Sequence, residues 1–483
     1  MTSQHVQTVG IGVPQRGRPL SIAWVAIVAA LGGLLFGYDT GIIASALPSI
    51  SKDFGITGDA TAQQIVVSSI LVGCMIGAFV AGRISDKFGR RRVLAGVAIL
   101  FIVAALAVAS SHNFGLLVLF RVLLGIAVGA ASQVVPVYIA ELAPSARRGQ
   151  FVVTFQLAVI FGILVSTVSG YFIGVGVNGW RYTAALGGVP ALILLIGSFL
   201  LPETPRYLVL AGRPAEATAV LRRLRPSGHD VEAEVREIMR IEEDSASHRG
   251  GWRDVLSPRV RPALLVGVGI AVLCQITGIN AVLYYAPTIL TTAGFNMSAS
   301  LLASMSVAFL LFLFTLLGLF LVDRWGRRRL LVAFVPLSAL AVLALGFCFT
   351  SAGTAQGPPV LLVSLLVLFT ALNGGSLSVV AWLIASEVFP LRVRGVAMGV
   401  AAFMLWAADL LVSLTSLSLS NSLGPRGIFW LFGLITVAAF VFIYFFVPET
   451  KGRSLEEIEE SLNDRTFYPA TVVRRQEALA HHD

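Results

Sequence analysis

Residues 82–92 read GRISDKFGRRR, and residues 321–329 read LVDRWGRRR. An acid, two further residues, a glycine and a run of arginines occur twice, with Asp86 and Asp323 standing 237 positions apart. In each copy the glycine allows a tight turn between helices, and the acid caps or pairs with nearby arginines. Other stretches repeat in the same order. ELAPSARRG at 141–149 returns as EVFPLRVRG at 387–395, PETPR at 202–206 returns as PETKG at 448–452, and GYD at 37–39 lines up with GIN at 278–280. The offsets of 246, 246 and 241 join all of them in one register with small loop changes.

What repeats is a set of membrane spans. Of 483 residues, 56% are hydrophobic and only 13% charged, where a soluble chain is about a quarter charged. Apolar runs long enough to cross about 30 Å of hydrocarbon recur along the chain. They do not alternate as barrel strands do. The spacing predicts an all-α membrane protein with helices at 21–45, 63–82, 93–110, 115–140, 150–173 and 182–201, then at 262–291, 300–322, 330–350, 359–386, 396–419 and 426–447. These form two pseudo-symmetric six-helix bundles, 21–201 and 262–447, with tails at 1–20 and 448–483. Between them, 202–261 carries Leu221, Leu224, Val231, Val235, Ile238 and Ile241 at near-helical spacing among charges, which predicts short amphipathic helices. A duplicated six-helix unit is a transporter architecture, with its site expected between the halves near the midplane.

The net charge of +9 does not point to nucleic acid, because the basic residues cluster in loops. One set of connections carries only Lys52, Arg181 and Arg426, and the other carries Arg83, Lys87, Arg147, Arg148, Arg324, Arg392 and Arg394 among others. That bias places both termini and the middle segment in the cytoplasm of a cell-membrane protein. No cleavable signal follows the polar first 20 residues. Cys74, Cys274 and Cys348 lie far apart in apolar runs and offer no disulfide framework or metal spacing.

Asp39 lies in LGGLLFGYDTGIIASAL (31–47), where a charge costs about 2.5–3.5 kcal/mol. Its expected depth, about six residues or 9 Å below the surface, matches that of Arg121 in the fourth helix. The two can pair, and protonating the acid would free the arginine. Gly37 and Gly41 are expected to mark a helix break near them. Asp409, expected about 20 Å into the eleventh helix, has no obvious arginine at its depth in the second half.

FGYDTG, GRISDKFGRRR, FRVLLGIAVG, PVYIAELAP, PETPRYL, QITGINAVLYYAP, VDRWGRRR, ASEVFP and PET together resemble the sugar porters of the major facilitator superfamily, in particular bacterial proton–sugar symporters. The resemblance implies the major facilitator fold, alternating access, a sugar or polyol and a proton as partners, no cofactor and no metal. No nucleophile, metal or phosphate-loop constellation suggests an enzyme, and a functional monomer is expected. The resemblance makes Asp39 and Arg121 the proton-coupling pair. It places Gln156, Gln275 and Asn280 on sugar hydroxyls, Trp382 and Trp406 on the cavity wall, and Tyr284 with Tyr285 at an outer gate. It implies inner-gate ion networks among Arg83, Asp86, Glu141, Arg148 and Glu203, and among Asp323, Arg324, Glu387, Arg394 and Glu449. Arg92 and Arg329 are expected to serve topology alone.

Several positions depart from the family pattern. Cys274 replaces one of two glutamines, Ile163 and Leu311 replace amides, Ser378–Val379 replaces Gly-Pro, Leu405 replaces a glutamine, and Asp409 replaces an asparagine. Cys274 and Asp409 are therefore expected at the substrate. The added Leu and Ile admit an alternative, a proton-driven exporter of a more amphipathic compound. A transport-inactive nutrient sensor is disfavoured by the short C-terminal tail.

Overall fold

The computed structural model describes residues 20–469, apart from 145–147, 175–177, 227, 248–251, 293, 351–353, 357, 391, 454 and 465. The expected tail at 1–20, all but its last residue, and the end of the C-terminal tail lie outside the described residues, as do the side chains of Arg148 and Ile241. Among the described residues, eleven helices are long and apolar enough to cross a membrane. The last, Arg394–Phe446, has 53 residues, far more than one crossing needs, and it divides at Gly424, whose φ is +71°. The described residues therefore hold twelve spans.

The first six are Ile22–Asp53, Ala60–Phe88, Arg90–Ala109, Phe114–Leu142, Arg148–Ile173, and the pair Gly179–Leu186 and Gly188–Leu200. The seventh is Arg261–Ile276 continued by Ile279–Thr292, with a break at Gly278, whose φ is +89°. The eighth is Met297–Trp325 and the ninth Arg327–Phe347. The tenth runs from Pro359–Asn373 through a π-turn at Gly374–Ser378 to Val379–Val388. The eleventh and twelfth lie on either side of Gly424.

Small residues set the packing within the first half, as they do where lipid removes the hydrophobic drive between helices. A methyl group on Gly37 would stand 1.7 Å from the Val159 carbonyl oxygen, and one on Gly41 would meet Ser166 and Ile163. Gly73 and Gly125 meet across the second and fourth spans in the same way, flanked by Gly77 against Ile126 and Gly129 against Cys74. This corrects the reading of Gly37 and Gly41. The first span is continuous through both, and they bring it against the fifth rather than breaking it.

The segment after the sixth span folds as Pro205–Leu210, Pro214–Leu224 and Val231–Ser247 around Leu208, Ala217, Leu221, Val231 and Val235. Arg225 joins it to the fourth span, donating to the Leu142 carbonyl at 2.9 Å and to both oxygens of Glu234 at 2.6 and 3.0 Å. Burial pushes the Glu234 carboxyl up, but the Arg225 hydrogen bond and charge, with His229, outweigh it and hold the group below the ordinary glutamate range.

Candidate functional site

The two arginine-rich turns form matching clusters, centred on residues the motif reading passed over. Arg90 pairs with Asp86 at 2.7 Å and with Glu141 at 3.1 Å. Arg327 pairs with Glu387 at 2.6 Å and with Asp323 at 3.7 Å. Glu203 accepts the backbone N–H groups of Arg90 and Arg91 at 3.0 and 3.2 Å, and Glu449 accepts that of Arg327 at 2.9 Å. These glutamates therefore cap the third and ninth spans, where a helix N-terminus favours negative charge. Gly89 and Gly326, at φ +95° and +96°, leave the space that each capping carboxylate fills.

Arg83 and Arg324 do not belong to these clusters. Each is exposed and lies over a phenylalanine of its own helix, Phe79 and Phe320. Arg394 donates to the Phe389 carbonyl. Both clusters close within their own half of the chain.

Asp39 and Arg121 meet deep in the first half, 3.8 Å apart, and only 5% and 3% exposed. The first span runs on to Asp53, 14 residues beyond Asp39 or about 21 Å along the helix. Arg121 is anchored elsewhere as well. Its Nε donates to the Val66 carbonyl of the second span at 2.6 Å. The pair lines a small cavity together with Phe36, Cys74, Tyr284 and Trp406, so both halves of the chain contribute walls.

The second half brings most of its expected residues together. Asn280 donates to Gln275 at 2.7 Å across the break at Gly278. The Tyr284 hydroxyl donates to Asp409 at 3.2 Å, and that of Tyr285 donates to the Ser413 carbonyl at 2.9 Å. Cys274 is buried with its Sγ 3.9 Å from the Ser378 hydroxyl. Trp406 packs on Phe36 of the first half with ring centroids 5.4 Å apart. Trp382 packs on the core from a half-buried position. Gln156 is half-buried and makes no hydrogen bond among the described residues.

Above this set an apolar layer closes one end of the molecule. Ile43, Leu47, Ile50 and Val66 pack with Tyr284, Tyr285 and Leu417. Sequence reasoning missed Gln64, which accepts a hydrogen bond from Ser418 in the same layer. Gln64 stands beside Gln63, and Ser418 is one of several hydroxyls in SLTSLSLSNS (413–422), so nothing local singled out this pair.

Twelve spans in two repeated halves, enclosing an ion pair, amides and a carboxylate where the halves meet, define a secondary transporter. The chain belongs to the family described as Sugar (and other) transporter, which matches residues 25–462. It is 39% identical to the D-xylose transporter of Levilactobacillus brevis over 93% of this chain and 97% of that one. It is 35% identical to the arabinose-proton symporter of Escherichia coli over 91% and 93%. Among solved structures, the partially occluded inward-open xylose transporter XylE of Escherichia coli superposes with a TM-score of 0.78 at 31% identity, covering 90% of this chain and 99% of that one. The protein is a multi-pass membrane transporter of the major facilitator fold and not an enzyme.

Proposed function

We propose that this transporter imports a sugar or polyol together with a proton by alternating access. The observation that carries the reading is the Asp39–Arg121 pair, enclosed at the cavity shared by the two halves. A proton on Asp39 removes the charge that Arg121 faces, while Arg121 keeps its bond to the Val66 carbonyl. The first span is then free to shift against the second and fourth. Proton binding is in this way coupled to the relative movement of the halves.

Gln275 and Asn280 offer both donors and acceptors to hydroxyl groups, and Gln156, Trp382 and Trp406 complete the wall. Tyr284 and Tyr285, with the apolar layer around them, close the outer end. The Arg90 and Arg327 clusters, with Glu141 and Glu387, stiffen the inner end of each half. The excess of Lys and Arg in the loops supports a cytoplasmic side for that end and both termini. The transport unit is a monomer inserted in the bilayer.

The exporter alternative rests on apolar replacements, and two of these are buried in helix packing: Ile163 is 3% exposed, and Leu311, 1% exposed, packs its side chain against Gly374. The test is uptake of a labelled sugar panel into proteoliposomes. Accumulation above equilibrium, driven by an inward proton gradient and abolished by a protonophore, is expected. Equal uptake with and without the gradient would overturn proton coupling.

A further inference from the structure

Among the described residues, Asp39, Arg90, Arg121 and Asp409 are charged and buried over main chain and side chain together. Arg90 faces acids and Arg121 faces Asp39. Asp409 faces no cation among the described residues. Tyr284 donates to its Oδ2, and its Oδ1 has no hydrogen-bond partner. Three residues earlier on the same helix, the Nε1 of Trp406 is also buried without a partner. Residues at this spacing share one helix face, and Trp406 lines the central cavity beside Tyr284 and Phe36.

The face thus presents an unused carboxyl acceptor that no cation faces when it is ionised, an unused donor, and aromatic rings. A neutral sugar can use the donor and the acceptor but leaves the charge uncompensated. An ammonium group supplies the missing charge and three N–H donors, and it is attracted to aromatic faces. We propose that the sugar carried by this site bears a protonated amine, as an amino-deoxy sugar does, and that Asp409 is its counter-ion. Trp406 Nε1 then bonds a ring hydroxyl of the same molecule. This proposal rests on the sugar-import reading above.

The probes are D-glucosamine, D-glucose and N-acetyl-D-glucosamine, whose nitrogen is neutral. Binding to the purified full chain and uptake into proteoliposomes are measured at near-neutral pH. Glucosamine is expected to bind about tenfold more tightly than either neutral sugar. Asp409→Asn should bring the three within about twofold of one another, and Asp409→Glu should keep the amine preference. A wild-type protein that binds glucose as well as glucosamine overturns the proposal and leaves sugar import standing. So does an amine preference that survives in Asp409→Asn. Uptake of no sugar at all, neutral or cationic, overturns both. Should Asp409→Asn fail to fold, the comparison of glucosamine with its N-acetyl derivative on the wild type still decides.

Discussion

Gln64 and Ser418, 354 positions apart, are joined by a hydrogen bond of 2.8 Å that links the second span to the eleventh. Gln64 is buried, its Nε2 has no partner, and the surroundings are apolar. The bond therefore forms only while this end of the molecule is closed. Ser418→Ala should weaken closure, with an expected loss of about 1 kcal/mol or a fivefold shift towards the state open at this end. Labelling of a cysteine introduced at Ile50 measures it. An unchanged labelling rate would remove Gln64 from the closure.

Asp39→Asn should abolish uphill accumulation while downhill exchange persists. The substitution takes away the titrating group, yet Arg121 keeps its bond to the Val66 carbonyl and the fold does not lose that anchor. The readout is the internal-to-external substrate ratio under a proton gradient. A ratio equal to the wild type would end the role given to Asp39.

Arg90 and Arg83 should behave differently although both belong to one basic motif. Arg90→Ala strands Glu141, which has only 7% of its side chain exposed. Breaking a buried pair on one side costs about 3–5 kcal/mol. Arg83→Ala removes an exposed cation over Phe79 and should change stability by less than about 0.5 kcal/mol. Thermal unfolding in detergent separates them. The same contrast is expected for Arg327 and Arg324.

Much of the architecture was legible in the sequence because apolar runs and a duplicated register each carry their own physical cause. The twelve spans follow from them. Individual partners were less legible. In RRR after a turn glycine, nothing local distinguishes the first arginine from the next two, although that position recurs after both Gly89 and Gly326. Glu203 looked like a charge partner because its real task, accepting backbone N–H groups, depends on a helix 113 residues away. Gly37 and Gly41 were read as a break because glycine weakens a helix. Their spacing of four was the better signal, since it places both on one face. The first helix runs past its expected end at residue 45 to Asp53, with Pro48 inside it.

Gly37→Ala should destabilise strongly, since its methyl group would meet the Val159 backbone oxygen, which cannot rotate away. A loss of about 1–3 kcal/mol is expected from such overpacking. Gly96→Ala, where nothing lies within 4 Å, should be neutral or stabilising by up to about 1 kcal/mol. Melting temperatures of the pair in one detergent test this, and equal temperatures would contradict the close approach of the first and fifth spans.

The Arg225–Glu234 link should be insensitive to pH until strongly acid conditions. Glu234 is held below its unfolded value, so its contribution is present above that value and is lost as pH falls through the lower folded one. Limited proteolysis of the segment 214–247 should therefore stay slow from neutral pH down to about 4 and accelerate below it. Glu234→Gln should be cut quickly even at neutral pH. Opening of the wild type near pH 6 would show that another group controls it.

Glu203 and Glu449 each stand just past the last span of their half, yet each completes the start of that half's third helix. During synthesis, Arg90 and its neighbours emerge long before their cap exists. The third span must wait, with its first amides unmet, until the ribosome has made the whole first half. The ninth must wait almost until the end of the membrane-spanning chain. A chain stopped after residue 447 would contain every span and still lack the cap that finishes the second half. Assembly of each half is thereby reported by its final residues, and a quality-control system that sensed an uncapped ninth helix would be reading whether translation had reached Glu449.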